Sequence, residues 1–270
     1  MQAQNQIETI TSIRKIIDIF KSSEGEVRPH HVLVGPSGSG KSWAIQTLAE
    51  EAEVGYIEVN AAQLTKEGTS GNSLSKALAP IQQHQNKPII VFVDEFDKLF
   101  ISGNSNSSLA HESTNGVQNE FLKVLESDTA TISGDYGKYY QVPVKNVLFI
   151  FAGAFNGEPD ITIDRLREFG IKTEFIGRVG LIYNLEKLTV KDLINILKKS
   201  KLLENYLKLF DKVNGKKCIK TISEFIEQYY ENNTLGARLV TTLIHQYFIK
   251  GGKIGFDEVK QISFQKKLEL

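Results

Sequence analysis

Residues 35–42 constrain the fold of this 270-residue chain more than any other segment does. They read Gly-Pro-Ser-Gly-Ser-Gly-Lys-Ser and fit the pattern G-x-x-x-x-G-K-[ST]. An apolar stretch at residues 31–34 precedes the motif, and residues 43–50, which favour a helix, follow it. A strand, a glycine-rich loop and a helix in this order are the setting of a phosphate-binding P-loop. The segment therefore predicts a nucleotide site at the edge of a parallel sheet.

The residue types of this loop suit the binding of a polyphosphate. Gly38 and Gly40 can adopt backbone angles that other residues avoid, so that successive amides point into one anion-binding cradle at a helix N-terminus. Lys41 is expected to reach the outer phosphates. The predicted nucleotide-binding residues are Pro36, Ser37, Gly38, Ser39, Gly40, Lys41, Ser42, Trp43 and Asp94. An ordinary Gly/Ser turn is the alternative, and the flanking elements favour the P-loop.

A second motif follows the apolar run at residues 89–93, where Asp94 and Glu95 stand side by side. Asp94 would leave the carboxyl end of a buried strand, where open parallel sheets bind their ligands. We predict that Ser42 and Asp94 hold magnesium and that Glu95 is the catalytic base that polarises the attacking water. An acidic surface turn is the alternative, because further charged residues follow closely.

The composition excludes several other classes of protein. Hydrophobic residues make up 41% of the chain and the formal net charge is +0, so the bulk charge gives no indication of a nucleic-acid or membrane surface. Cys218 is the only cysteine, which excludes an internal disulfide and a cysteine-cluster zinc site. No apolar stretch approaches membrane-spanning length, and residues 1–6 are too polar for a secretory signal. We therefore expect a cytoplasmic protein without a membrane partner.

The order of the predicted elements indicates an α/β fold, with a P-loop NTPase parallel sheet flanked by helices and followed by a small α-helical lid domain. We predict a large domain at residues 1–185 and the lid at residues 186–270. Strands are predicted at residues 31–34, 54–59, 88–93, 147–151 and 180–184, with a hairpin at 131–142. Helices are predicted at residues 7–20, 43–50, 73–83, 116–125, 190–200, 201–210, 223–231 and 237–249. Residues 101–116, rich in Ser, Asn and Gly, are predicted to form a long loop.

Later segments resemble the AAA+ ATPases of the Clp unfoldase clade, which is ClpX/HslU-like. Residues 172–178, Lys-Thr-Glu-Phe-Ile-Gly-Arg, look like that family's arginine-finger segment. Residues 235–239, Leu-Gly-Ala-Arg-Leu, look like its sensor-2 segment, and residues 148–155 are also similar. The resemblance covers residue 32 to the end of the lid. It implies ATP and Mg as cofactors and a homo-oligomeric ring, expected to be a hexamer.

The resemblance implies catalytic roles for two arginines. Arg178 would reach the γ-phosphate of a neighbouring subunit, and Arg238 would read the nucleotide of its own chain and couple its state to the lid. Arginine is scarce here, with six among 32 basic residues, so each one is a candidate for contact through its planar fork. The alternatives are an ordinary surface salt bridge for Arg178 and a surface position at a helix N-terminus for Arg238.

The sequence departs from the family pattern in several places. Residues 67–71, Glu-Gly-Thr-Ser-Gly, lack the aromatic residue with which the family's pore loop grips a polypeptide, and the predicted hairpin tip is short. No Ile-Gly-Phe docking loop lies within residues 155–169, and no zinc domain stands ahead of the ATPase, so we expect no ClpP-type protease partner. The strand at 147–151 leads into Ala-Gly-Ala, which leaves Asn156 as the candidate for the polar sensor-1 group.

Three hypotheses about function remain open from the sequence. The first is an oligomeric ATPase that remodels a protein client by coupling hydrolysis to movement of the lid. The second is a nucleic-acid-associated ATPase of the loader type, since lysine and polar side chains suffice to contact phosphates. The third is an assembly scaffold that ATP regulates, in which hydrolysis is slow.

Overall fold

The computed structural model describes residues 2–66, 71–84, 87–100, 108–210 and 212–255. The chain divides into two compact units, Met1–Lys187 and Leu188–Leu270, which we call the large unit and the small unit. Within the described ranges, none of the helices combines the length and the apolar character that a bilayer span needs.

A parallel sheet forms the centre of the large unit. Its strands in the described chain are β1 (His31–Val34), β2 (Gly55–Asn60), β3 (Ile89–Asp94), β6 (Val147–Gly153) and β7 (Leu181–Asn184), in the order β2-β3-β6-β1-β7. Two further strands, β4 (Thr129–Ser133) and β5 (Tyr139–Pro143), pair with each other as an antiparallel hairpin. The predicted parallel sheet and hairpin are confirmed. Because β6 lies between β1 and β3, it adjoins both strands that the predicted motifs follow.

Alternate residues of the central strands point to opposite faces of the sheet, and both faces are buried. In β3, Ile89, Val91 and Val93 contribute to one hydrophobic cluster, whereas Ile90 and Phe92 contribute to the other. Strands buried on both faces read as continuous apolar runs. This is why the sequence identified β3 and β6 with nearly correct bounds.

Helices cover the two faces of the sheet. The helices of the large unit are α1 (Gln2–Ser22), α2 (Lys41–Glu51), α3 (Leu74–Ala77), α4 (Ser108–Glu126), α5 (Ile163–Glu168) and α6 (Thr173–Arg178). Phe20 of α1 and Ile45 of α2 are fully buried in the cluster on one face. Phe121 of α4 and Phe175 of α6 are fully buried in the cluster on the other face, together with the hairpin residue Ile132.

Two sequence predictions in the large unit were wrong. The single helix predicted at residues 73–83 is the short α3 followed by a 3-10 helix, Ala79–His84. Pro80 explains the break, because proline lacks an amide donor and disfavours the α conformation of the residue before it. The long loop predicted at residues 101–116 contains the beginning of α4, which starts at Ser108. Residues 108–115 include neither proline nor glycine, so nothing local prevents a helix there.

The small unit is a helical bundle with its own core. Its helices in the described chain are α7 (Val190–Lys198), α8 (Lys201–Leu209), α9 (Gly215–Tyr229) and α10 (Arg238–Ile249). The predicted helices are confirmed except for the start of α9, which lies eight residues before the predicted one at 223. The side chain of Asn214 caps this helix by accepting a hydrogen bond from the Lys217 amide at 3.1 Å. Leu193, Ile222 and Leu243 meet in the buried core.

Two adjacent histidines at the start of β1 are held in the neutral form. His31 is fully buried, its Nδ1 lies 3.0 Å from the Pro29 carbonyl oxygen, and its Nε2 has no partner among the described residues. Burial lowers the pKa of His31 to about 4. His30 accepts a hydrogen bond from the Phe149 amide, and burial, aided by the nearby charge of Arg28, lowers its pKa to about 3.

We expect the free energy of unfolding to decrease as the pH falls below about 6.5. Both imidazoles take up a proton near that pH in the unfolded chain, whereas the folded chain keeps His31 neutral down to about pH 4. Because the unfolded state then binds more protons, each histidine lowers the free energy of unfolding by up to about 1.4 kcal/mol for each unit that the pH falls. The free energy of unfolding is measured by urea titration at several pH values in this window. It should fall less steeply with decreasing pH in His31→Gln than in the parent. If the free energy of unfolding falls with pH as steeply in His31→Gln as in the parent, His31 is not neutral in the folded chain.

Candidate nucleotide-binding site

The glycine-rich loop connects the end of β1 at Val34 with the start of α2 at Lys41. Gly38 and Gly40 both have left-handed backbone angles, with φ values of 73° and 83°. A Cβ atom added to Gly40 would meet nothing within 4 Å, so open space lies in front of the loop at this position. The loop therefore has the backbone conformation and the clearance that a phosphate cradle requires.

Lys41 lies beneath the loop. Its side chain is largely buried, and its ammonium donates hydrogen bonds to the carbonyl oxygens of Gly35 at 2.6 Å and Pro36 at 3.1 Å. The hydroxyl of Ser39 is also buried and has no hydrogen-bond partner among the described residues. A buried donor without a partner calls for an explanation, and an anionic ligand in the loop would supply the missing acceptor.

The first turn of α2 completes the anion-binding end of the loop. Gly40 occupies the N-cap position and offers no side-chain cap to the first amides of this 11-residue helix. Amides at a helix N-terminus that lack a cap, together with the helix dipole, favour a bound anion. Ser42 is partly buried in this turn, and Trp43, the only tryptophan of the chain, is 67% exposed beside it.

The two acidic residues lie at the end of β3, on the same edge of the sheet as the loop. Asp94 is the last residue of the strand and pairs in register with Asn60 of β2. Its Oδ1 accepts a hydrogen bond from the Glu95 amide at 2.9 Å, and Glu95 is exposed with a left-handed φ of 54°. The structure thus brings the loop and both carboxylates to one edge, with Asp94 oriented by its neighbour's amide.

Asp97 is a residue of this region that sequence reasoning missed. Its side chain is 1% exposed, and its Oδ2 accepts a hydrogen bond from the Phe155 amide at 3.2 Å. Its Oδ1 lies 2.8 Å from the position of a Cβ added to Gly153, so only glycine fits there without a shift. The Lys98 ammonium, 3.8 Å away, partly offsets the buried charge. The one signal in the sequence was the position of Asp97 near the apolar residues Phe96 and Leu99, and the adjacent Lys98 made the segment equally consistent with a surface turn.

Asn156, the candidate sensor-1 residue, follows directly. It is exposed and has a left-handed φ of 59°. Asp97 holds the backbone of the preceding residue, Phe155, which itself has a φ of 44°. The turn that carries Asn156 is thus fixed to the segment after β3 by the buried carboxylate.

Arg178 lies on the surface of the large unit at the C-terminal end of α6. Its Nη2 forms an ion pair with Oε1 of Glu126 at 2.5 Å, and its Nη1 donates to the Glu174 carbonyl oxygen at 3.3 Å. Three residues further on, Leu181 begins β7 and pairs in register with His31 at the start of β1. The glycine-rich loop leaves β1 from its other end. Arg178 therefore precedes the strand β7 at the edge of the sheet opposite to the loop of its own chain.

Arg238 is the first residue of α10 in the small unit and is exposed. The turn before it is organised by Asn233, a second residue that the sequence did not indicate. Asn233 is 4% exposed, and its Oδ1 accepts hydrogen bonds from the amides of Leu235 at 2.9 Å and Gly236 at 3.0 Å. This Asn-centred turn fixes the backbone from which Arg238 projects.

Of the predicted pore-loop stretch at residues 67–71, residues 67–70 lie outside the described residues. The described residues contain no group of three or more His, Cys, Asp or Glu side chains that could hold a metal ion. A groove of about 830 Å³ lies between α3, α4 and the hairpin, and Lys66 is one of the residues that line it. The lining also includes Leu74, Glu120, Lys123, Thr131 and Tyr139.

A parallel sheet of this strand order, with a glycine-rich loop after β1 and an acidic pair after β3, defines the class of P-loop nucleotide hydrolases. The family model of the ATPases associated with various cellular activities (AAA) matches residues 31–175, more than half of the chain. The chain belongs to this family, and it is an ATP hydrolase.

A comparison with curated proteins refines this assignment. The chain is similar to the ATP-binding subunit ClpX of the ATP-dependent Clp protease from Treponema denticola, with 27% identity over an alignment of 265 residues. The alignment covers 81% of this chain and 64% of that protein. Within the AAA family the chain is thus similar to ClpX at low identity, and it spans less than two thirds of the length of this relative.

The buried carboxylate of Asp97 should contribute measurably to stability. In Asp97→Ala the Phe155 amide loses its acceptor in a buried setting, which costs about 1–3 kcal/mol. We expect urea denaturation to show this loss, whereas Asp97→Asn, which keeps an acceptor oxygen and the shape, should retain most of the parental stability. Equal stability of the alanine variant and the parent would show that the Asp97–Phe155 hydrogen bond is not maintained in solution.

Proposed function

We propose that this protein is an oligomeric, magnesium-dependent AAA+ ATPase in which one subunit binds ATP and the next subunit contributes Arg178 to the same site. Hydrolysis would then drive the remodelling of a protein client. The observation that carries this proposal is the placement of Arg178. It lies on the surface, at the sheet edge opposite to the loop of its own chain, so a triphosphate on another subunit is the one that it can serve.

In this proposal the glycine-rich loop holds the triphosphate through the amides of residues 36–43. The ammonium of Lys41, which now bonds two loop carbonyls, turns toward the outer phosphates, and the unpartnered Ser39 hydroxyl gains an acceptor. Trp43, exposed on the first turn of α2, is proposed to contact the nucleotide from the helix N-terminus.

The Ser42 hydroxyl and the Asp94 carboxylate are hard oxygen donors that suit magnesium, which usually binds through one or two protein oxygens together with water and phosphate oxygens. When bound, the ion offsets phosphate charge. Glu95 is the proposed general base, because its exposed carboxylate adjoins Asp94 at the nucleotide edge of the sheet. Arg238 is the proposed sensor of the nucleotide within its own chain, carried on the rigid turn that Asn233 holds.

The oligomer is proposed as a ring, with a hexamer as the expected form, because an arginine that acts in trans requires each subunit to face a next one. A protein client fits the exposed hairpin tip, where Tyr136 is 99% exposed and Tyr139 is 58% exposed, since tyrosine rings provide apolar contact area with a polar end. Residues 155–169 form a 3-10 turn, a short connection and α5, which supports the absence of a docking loop for a ClpP-type peptidase.

Two variants should separate ATP binding from hydrolysis. Lys41→Ala removes the ammonium beneath the loop and should abolish both, whereas Glu95→Gln should retain binding and lower turnover by on the order of a hundredfold or more. Binding is measured by the intrinsic fluorescence of Trp43, the single tryptophan, and turnover by phosphate release. The surface variant Lys145→Ala serves as a matched control for Lys41→Ala. Full turnover in Glu95→Gln would refute the general-base role.

A mixing experiment tests the role of Arg178 in trans. Glu95→Gln subunits and Arg178→Ala subunits should each be nearly inactive alone. The Arg178→Ala substitution should lower turnover by on the order of a thousandfold. Their mixture should regain turnover, because the intact pocket of an Arg178→Ala subunit can receive Arg178 from a Glu95→Gln neighbour. Arg167→Ala, which removes a surface arginine of α5, is the control and should remain active alone. If the mixture stays inactive although mixed assemblies form, Arg178 does not act between subunits.

A further inference from the structure

Four phenylalanines form a buried aromatic cluster on one face of the sheet in the large unit: Phe96, Phe121, Phe151 and Phe175, each 0% exposed. Phe96 stacks on Phe175 with ring centroids 5.1 Å apart and an interplanar angle of 23°. Phe151 of β6 contacts both, with its centroid 4.7 Å from Phe96 and 4.9 Å from Phe175. Phe121 of α4 lies edge-on to Phe151 at 5.3 Å.

The stacked pair joins two segments with proposed catalytic roles. Phe96 directly follows Glu95, whose left-handed backbone begins the turn after β3. Phe175 lies on α6, three residues before Arg178. A direct ring contact therefore connects the turn that carries the proposed base with the helix that carries the proposed arginine finger.

The position of α6 depends on this contact for a physical reason. The helix has six residues, and isolated helices of that length are not stable in water, so its place is set by what its buried side chains touch. Phe175 is its largest buried side chain and lies among three other rings, whereas Arg178 is exposed. Because such cores are close-packed, a shift of Phe96 must be followed by Phe175.

We propose that Phe175, through its stacking on Phe96, is the positioning residue for Arg178, and that each subunit's catalytic turn thereby sets how its arginine meets the next subunit. This inference rests on the proposed role of Arg178 in trans. Phe96 and Phe175 would thus influence hydrolysis in the next subunit through Arg178, without themselves contacting the ATP of that subunit.

The test uses mixed assemblies in which one subunit serves only as the donor of the arginine. Donors carry Glu95→Gln, so their own site is inactive, and acceptors carry Arg178→Ala. Adding Phe175→Leu or Phe96→Leu to the donor should lower the turnover of the mixture by about tenfold or more, because a displacement of about 1 Å in a positioning group can cost on the order of a hundredfold. The KM for ATP should stay unchanged, since ATP binds in the unaltered acceptor pocket.

The same substitution serves as its own control when it is moved to the other partner. Phe175→Leu in the Arg178→Ala acceptor measures any effect of the ring on the Glu95 turn of that subunit, and the loss of turnover there should be clearly smaller than the loss with the altered donor, because the acceptor's own arginine is already absent. Phe20→Leu in the donor removes the same volume from the core on the opposite face of the sheet and should also have little effect. Circular dichroism and sizing confirm that each variant folds and assembles, and a Leu variant that does not is replaced by Met at the same position, Phe175→Met or Phe96→Met.

The outcomes separate this inference from the proposed function. If donors with Phe96→Leu or Phe175→Leu are as effective as the Glu95→Gln parent, the positioning role is refuted while the action of Arg178 in trans stands. Equal losses in the donor and acceptor arrangements would indicate a merely structural role and refute it as well. If the parental mixture shows no turnover, the role of Arg178 between subunits fails first.

Discussion

The central strand β6 is the element on which both halves of the nucleotide site depend. It lies between β1 and β3, and its seven residues are all buried. At its end, the Gly153 carbonyl oxygen accepts a hydrogen bond from Gly35 at the start of the glycine-rich loop. Two residues further, the Phe155 amide is held by Asp97 of the segment that follows the acidic pair. The loop and the acidic turn are thus fixed to the same short stretch of backbone, which keeps their separation constant.

The sequence predicted those parts of the fold whose causes are local. The glycine-rich motif and the continuous apolar runs of β3 and β6 can be recognised within a few residues of sequence, and the structure places them as predicted. The break after α3 was also encoded locally, by Pro80, but the apolar pattern of residues 73–83 concealed it. The start of α9 was missed because its first turns are rich in lysine, so that the cap at Asn214 is the main local signal.

Other features could not be predicted because their partners are distant in the chain. Asp97 and Phe155 are separated by 58 residues, and without the fold the acid reads as part of a charged surface turn. The stacking of Phe96 on Phe175 depends likewise on the order of the strands. The scarcity of arginine was a weak guide to catalysis. Arg165 also uses its planar fork, but on Glu158 at 2.7 and 2.6 Å, within its own unit.

The ion pair between Arg178 and Glu126 has a consequence for an assembly that works in cycles. Both side chains are partly exposed, 40% and 45%, and such pairs are worth only about 0–1 kcal/mol. In the proposed ring, the guanidinium exchanges this carboxylate for a phosphate when it engages and returns to it when the phosphate departs. Because the resting partner holds it so weakly, leaving the carboxylate costs the guanidinium little, and the same residue is available again once the phosphate has departed.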